Sequence, residues 1–216
     1  MPDPDNIRTV GRPRRSEEQE EKARERLLAG ARSLFARDGF ESVSIRKITA
    51  EAGIAPMSFY LYFPSKRALL WHIIIDVFDA NLAVCDAAMA DVSGASEKLR
   101  IFGHSFVGYW LANVEHFRVA YLNEATETTD ERSSYIESAG AILTKIERLG
   151  DLFALGTAEG SFPRHDSVAR GQAYFAMLSG VALSLITIPE YPWADPDTVV
   201  REAVETFLRG AAHAAA

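Results

Sequence analysis

Apolar residues in this chain recur every three or four positions, and the interruptions fall on glycine, proline and small capping residues. That rhythm predicts helices rather than strands. Leu27, Leu28, Ala31, Leu34 and Phe35 form one such stripe, with Ser16 and the acidic pair Glu17-Glu18 at its start and Gly39 at its end. Ser44 opens a second, short helix with Ile45, Ile48 and Ala52 inward, and Gly53 closes it. Pro56 stands where proline is tolerated, at the start of a third helix carrying Met57 to Phe63. After the Pro64 break, Ser65 caps a long fourth helix through Leu69, Ile73 and Val77 to about Met89. Further helices are expected near 96–112, 115–127, 131–159, 166–188 and 196–212, separated by Gly160, Pro163, Pro189, Pro192 and Pro196. The fold class is all-α with about nine helices: a three-helix head followed by a larger helical body. Residues 1–15 carry Pro2, Pro4 and Pro13 without an apolar period, and read as a flexible basic arm.

Composition narrows the picture. Hydrophobic residues make up 48% of the chain, enough for a real core. The longest apolar run, Ala173 to Pro189, is broken by Ser179 and Ser184 and falls short of the roughly 20 residues of a membrane span. No secretory signal is visible, and a single cysteine, Cys85, fits a reducing cytoplasm. The net charge of −7 is unevenly distributed: residues 1–67 hold 13 Lys and Arg against 10 Asp and Glu, whereas the remainder holds 10 against 20. A polyanion is drawn to the first part and repelled by the second.

The first part also carries the most specific pattern. Two short helices set at an angle by a glycine turn allow one of them to enter a DNA major groove. Met57, Ser58 and Leu61 fall on the outer side of the reading helix, Ser58 as a hydrogen-bonding group and the other two as apolar contacts for thymine methyls. Ser44, Arg46, Lys47, Tyr60, Tyr62 and Lys66 are the phosphate candidates. Arg12 and Arg14 flank Pro13 in a slim arm suited to an A·T-rich minor groove. Lys66 opposes the dipole at the start of its helix, a placement more readily explained by a phosphate than by helix stability.

Residues 23 to 72 resemble the DNA-binding head of TetR-type (TetR/AcrR-like) transcriptional regulators. The resemblance rests on Leu28 with Ala31, Leu34-Phe35, Gly39-Phe40, Ser44, Ile48, Ala52-Gly53-Ile54, Tyr60, Phe63, Ser65-Lys66 and Leu69-Leu70. Two positions depart from the pattern: Thr49 stands where a small alanine usually packs, and Ala55 where a Ser or Thr often caps the reading helix. The resemblance implies a flexible basic arm at 1–15, a helix-turn-helix DNA-binding domain at 16–67 and a ligand-binding and dimerisation domain at 68–216. It favours Ser44, Tyr60 and Lys66 for the phosphates. It further implies a ligand-responsive homodimer, most often a repressor released from a palindromic operator when an effector moves the fourth helix.

In the body, Phe102, Phe106, Tyr109, Trp110, Phe117 and Tyr121 recur at helical spacing, which reads first as core and second as the apolar wall of a cavity. His104, Asn123, Tyr135 and the Tyr109 and Tyr121 hydroxyls are the candidate polar handles, and Gly103 and Gly108 leave room beside them. The acidic body slightly favours a neutral or cationic hydrophobic effector. The last two helices mix small residues with large ones, and the resemblance places the dimer face there, at Phe175, Ala176, Ser179, Gly180, Leu183, Val200, Val204, Phe207 and Leu208. The histidines are isolated, so no metal or other cofactor is expected. No nucleophile elbow, phosphate loop or dinucleotide motif is present, so no enzymatic activity is expected. The rival readings are a helical small-molecule-binding protein without specific DNA binding and, behind it, a helical enzyme.

Overall fold

The computed structural model describes residues 17–122 and 132–213; at 132–139, 141–143 and 145 it describes the helix but not the side chains. Every described element is helical: α1 Glu17–Asp38, α2 Ile45–Glu51, a 3-10 helix Pro56–Leu61, α3 Lys66–Met89, α4 Ala95–Ala112, α5 Val114–Tyr121, α6 Arg132–Ala158, α7 Ser167–Thr187 and α8 Pro196–His213. The all-α expectation holds. Two elements are shorter or tighter than the periodicity implied. The reading helix is 3-10 rather than α, and the helix expected at 115–127 ends at Tyr121.

Local chemistry sets the boundaries. Ser44 Oγ accepts from Lys47 N (3.2 Å), Ser65 Oγ from Ala68 N (3.0 Å) and Asp166 Oδ1 from Ala169 N (3.0 Å), each satisfying an orphan N–H of a first helical turn. Gly53 closes α2 with φ +65°, a backbone that a β-carbon would strain, and Ile54 N then donates to Thr49 O (2.8 Å).

The hydrophobic core is continuous from head to body. It runs from Leu27, Leu34 and Phe35 of α1 through Ile48, Phe59 and Phe63 to Leu69, Ile73, Val77 and Phe78 of α3, then into Phe102, Phe106, Trp110, Phe117, Tyr174 and Val204. Helix α3 packs against α1, α4, α5 and α6, and so belongs to both parts. Among the described residues it is the one helix long and apolar enough to cross a membrane, but half of that apolar stretch is buried, as a core helix requires. Fully buried Asn81 fastens it to α4 by donating from Nδ2 to Phe106 O (3.1 Å). One turn on, the Cys85 thiol is fully buried, and burial pushes its pKa up to about 12.

The body is built on α4. Helix α8 lays Val200, Val204, Leu208 and Ala211, spaced every three or four residues, into the core, and packs against α4 and α7. Tyr174 of α7 is fully buried and donates from Oη to Leu99 O of α4 (2.8 Å). That hydroxyl and Val204 fill the space beside Gly103, where an added Cβ would lie 2.7 Å from Val204 Cγ2 and closer still to Tyr174 Oη.

Candidate functional site

Phe59 and Phe63 anchor the 3-10 helix. Both are at most 1% exposed, and their ring centroids lie 6.0 Å apart in the head core. With those two positions inward, the intervening residues must face water. Met57 is 81% exposed, Leu61 78% and Tyr60 57%. Three large side chains held clear of the core on six residues of backbone form a contact surface rather than a packing surface. Ser58 is half-buried beside them. Ala55 makes no side-chain cap bond, as its methyl dictates; Pro56 at the first helical position needs no N–H partner, and Ser58 N donates to Ala55 O (2.9 Å). Thr49, the other departure from the family pattern, is fully buried and satisfied: its Oγ1 donates within its own turn to Ile45 O (3.0 Å) and Arg46 O (3.2 Å).

The cations differ in availability. Arg46 and Lys47 are exposed on α2, and Lys47 Nζ reaches back to Ser42 O (3.3 Å). Ser44 is exposed, and its oxygen accepts from the backbone while its O–H stays able to donate. Tyr62 is half-buried and packs against the core, so it is less forward than Tyr60.

Lys66 also has partners within the chain. Its Nζ donates to Phe40 O (2.7 Å) and Val43 O (2.8 Å) and lies 4.0 Å from the centre of the Phe40 ring. The cation at the start of α3 clamps the connection between α1 and α2 with two of its three N–H groups. Burial holds its pKa below the ordinary lysine value. Spacing along the chain gave no sign of this, since the bonds span 23 and 26 residues. Arg12 and Arg14 lie outside the described residues.

In the body the ring cluster is core first. Phe102, Phe106, Trp110 and Phe117 are each at most 1% exposed. Trp110 sits at the hub, edge-on to Phe78 (5.4 Å), Tyr109 (5.3 Å), Phe106 (5.9 Å), Phe117 (5.8 Å) and Tyr121 (5.5 Å). Tyr109 Oη is hydrogen-bonded to His116 Nδ1 (2.7 Å), and Tyr121 Oη to Ser179 Oγ (3.1 Å). Burial raises both tyrosine pKa values, Tyr121 to about 12. Burial also lowers that of His116, and the Arg32 cation of α1 lowers it further against the opposing pull of Glu115. His104 is half-buried on α4, within electrostatic reach of Glu205 of α8. The room expected at Gly103 is filled by Tyr174, while Gly108 opens to solvent. Asn123 lies outside the described residues, as does the side chain of Tyr135. Open depressions of about 430 Å³ (Asp86, Lys98, Arg148, Leu152) and about 620 Å³ (Gly108, Leu111, Val114, Leu185) lie away from the four buried rings.

The candidate dimer face divides in two. Ala176, Gly180 and Leu183 are exposed along α7, Leu183 by 40%, with Phe175 and Ser179 half-buried beside them. Phe207 of α8 is half-buried. Val200, Val204 and Leu208 are at most 3% exposed, so they cannot face a second chain. The α8 stripe was read correctly as apolar but assigned to the wrong neighbour: it packs within the same chain, because α4 covers it.

With this geometry in place, the similarities to known proteins acquire meaning. Residues 27–73 match the model of bacterial regulatory proteins of the tetR family. The HTH-type transcriptional regulator YfiR of Bacillus subtilis is 28% identical over 158 residues, covering 69% of this chain and 73% of YfiR. Other curated HTH-type regulators match over only 16 to 36% of their own length. Among solved structures, a tetR-family regulatory protein from Rhodococcus RHA1 superposes with a TM-score of 0.69 at 22% identity, covering 90% of this chain and 99% of that one. FadR from Bacillus subtilis in complex with stearoyl-CoA superposes with a TM-score of 0.73 at 16% identity, covering 86% and 98%. At such identities the likeness is one of fold.

Proposed function

The chain is a TetR-type transcriptional regulator, and we propose that it acts as a homodimeric repressor that a small hydrophobic effector releases from a palindromic operator. The observation that carries this reading is the outward set of Met57, Tyr60 and Leu61 on a short helix anchored by Phe59 and Phe63. Among the described residues these groups stay largely outside the core, which Tyr60 meets edge-on at Phe59 (5.4 Å). A duplex groove takes them, with Arg46, Lys47 and Ser44 alongside for phosphates and the Arg12–Arg14 arm in the adjacent minor groove.

The dimer face of this proposal is the exposed stripe Ala173, Ala176, Gly180 and Leu183 of α7, with Phe207 and Gly210 of α8 beside it. Small residues let a second copy approach closely, and a two-fold pairing presents two heads to successive major grooves. The head is residues 16–67 and the ligand-binding and dimerising body 68–216, with α3 crossing the division. The aromatic cluster between α3, α4, α5 and α7 supports an effector site in the body, and FadR, which shares the fold, has been seen with stearoyl-CoA. The reading also places the protein in the cytoplasm with its operator.

Selection of genomic fragments by the purified protein, followed by sequencing, tests the proposal. The expected result is enrichment of an inverted repeat whose half-sites lie about one helical turn apart. Recovery of fragments without a shared repeat would leave a helical binding protein that does not read sequence.

A further inference from the structure

Charged side chains from three helices meet at the depression of about 430 Å³: Asp86 of α3, Lys98 of α4, and Arg148 and Asp151 of α6. Met89, Leu152 and Leu155 form its apolar wall, and Leu155 is 42% exposed. The volume lies within the range of small-molecule sites, about 300–1,000 Å³. The depression adjoins the last turn of α3, at the opposite end of that helix from Lys66, and no ring of the α4–α5 cluster lines it.

Two of the four charges are paired and two are not. Arg148 holds Asp86 in a fork, from Nη1 to Oδ2 (3.0 Å) and from Nη2 to Oδ1, which fixes the guanidinium and uses two of its five N–H groups. Among the described residues, Lys98 and Asp151 make no side-chain hydrogen bond or ion pair. Lys98 is the more telling of the two. It is half-buried and stands near the start of α4, where the helix dipole opposes a cation. Lys66, at the start of α3, is held there by the carbonyls of Phe40 and Val43. No group of the described chain holds Lys98 in the same way.

The balance of charge decides the class of guest. Two carboxylates and two cations leave the site formally neutral, and the carbonyl end of α3 adds a partial negative charge beside Met89. A simple anion paired with Lys98 meets Asp151, and a simple cation paired with Asp151 meets Lys98 and Arg148. Each gains an attraction and suffers a repulsion. A zwitterion satisfies both signs. Its carboxylate faces Lys98 and the unused N–H groups of Arg148, its ammonium faces Asp151, and the apolar wall is left for a short side chain.

We propose that this depression binds a free α-amino acid with an aliphatic side chain, with Lys98 taking the carboxylate and Asp151 the ammonium. The site is separate from that of the hydrophobic effector above, and binding to it is measured without DNA.

The test is titration calorimetry on the full-length protein with L-leucine and two truncated forms of it. One is 4-methylpentanoate, which lacks the ammonium; the other is 3-methylbutylamine, which lacks the carboxylate. Leucine is expected to bind with a dissociation constant of about 1 mM or tighter, and each truncated form at least about fivefold more weakly. Lys98→Met and Asp151→Asn should each weaken leucine by a similar factor, about fivefold or more. No binding of leucine at about 10 mM, a truncated form that binds as tightly as leucine, or an unchanged leucine affinity in either variant would overturn the proposal. Should a variant lose native helix content, the two truncated ligands still decide on the unaltered protein.

Discussion

Lys66 and Phe40 are joined twice, by a 2.7 Å hydrogen bond from the ammonium to the Phe40 carbonyl and by a 4.0 Å approach of the same ammonium to the Phe40 ring. With the second bond to Val43 O, this closes the connection from α1 to α2 onto the start of α3. Lys66→Met keeps the aliphatic stem and removes the clamp. It should destabilise the protein by about 1–2 kcal/mol, the usual cost of stranding partly buried acceptors, measured by urea denaturation. Operator affinity should fall through loss of head order, while the salt slope of binding stays within one phosphate contact of wild type.

The exposed face of the 3-10 helix separates positioning from reading. Tyr60→Phe should weaken binding to all duplexes by a similar factor, about two- to tenfold for one hydrogen bond. Ser58→Ala should instead alter the ranking of operator variants. Competition binding against a panel of half-site substitutions distinguishes the two, and identical profiles for both variants would refute these roles.

His116 gives the stability a pH dependence. Its folded pKa lies below the ordinary histidine value, through burial and the Arg32 cation, so the unfolded chain takes up the proton first as pH falls. The stability contribution is therefore present above pH about 6.5 and is lost as pH falls through the lower folded pKa. Denaturation series from pH 7.5 down to 5 should show wild type losing stability faster than His116→Phe.

Gly103 and Tyr174 form a coupled pair. Gly103→Ala drives a methyl into Tyr174 Oη and Val204, and should cost about 1–3 kcal/mol as core overpacking does. Tyr174→Phe gives up the 2.8 Å bond to Leu99 O at about 0.5–1.5 kcal/mol. The double variant should be less destabilised than the sum, because the hydroxyl that meets the new methyl is gone. Thermal melts of the four proteins complete the cycle.

Gly180→Arg tests the proposed pairing. Position 180 is open, with nothing within 4 Å of an added Cβ, so the folded chain tolerates the side chain while a closely approaching second copy does not. Light scattering should report a monomer with native helix content.

The head was legible in the sequence because its determinants are local. Ser44, Gly53, Pro56 and Ser65 act within a few residues of themselves, and each stands at the boundary its chemistry predicted. What escaped is non-local. The role of Lys66 depends on carbonyls more than twenty residues away, and the direction faced by Val200, Val204 and Leu208 depends on α4 lying over them. Periodicity says that a stripe is apolar without saying what covers it. The aromatic cluster shows the same limit: spacing brought Phe102, Phe106, Tyr109 and Trp110 to one helix, but only the fold reveals that Trp110 is the hub of the rings and that Tyr174 fills the space beside Gly103.

Helix α3 runs unbroken for 24 residues from the Lys66 clamp to Met89. At 1.5 Å per residue it is a stiff rod about 36 Å long. Pivoted at its far end by only about 5°, such a lever carries its near end sideways by about 3 Å. In the proposed dimer, angstrom-scale misalignment would be enough to spoil the simultaneous seating of two rigid teeth in one grooved track, and a slight nudge deep in the body would be geared up at the far end of the rod.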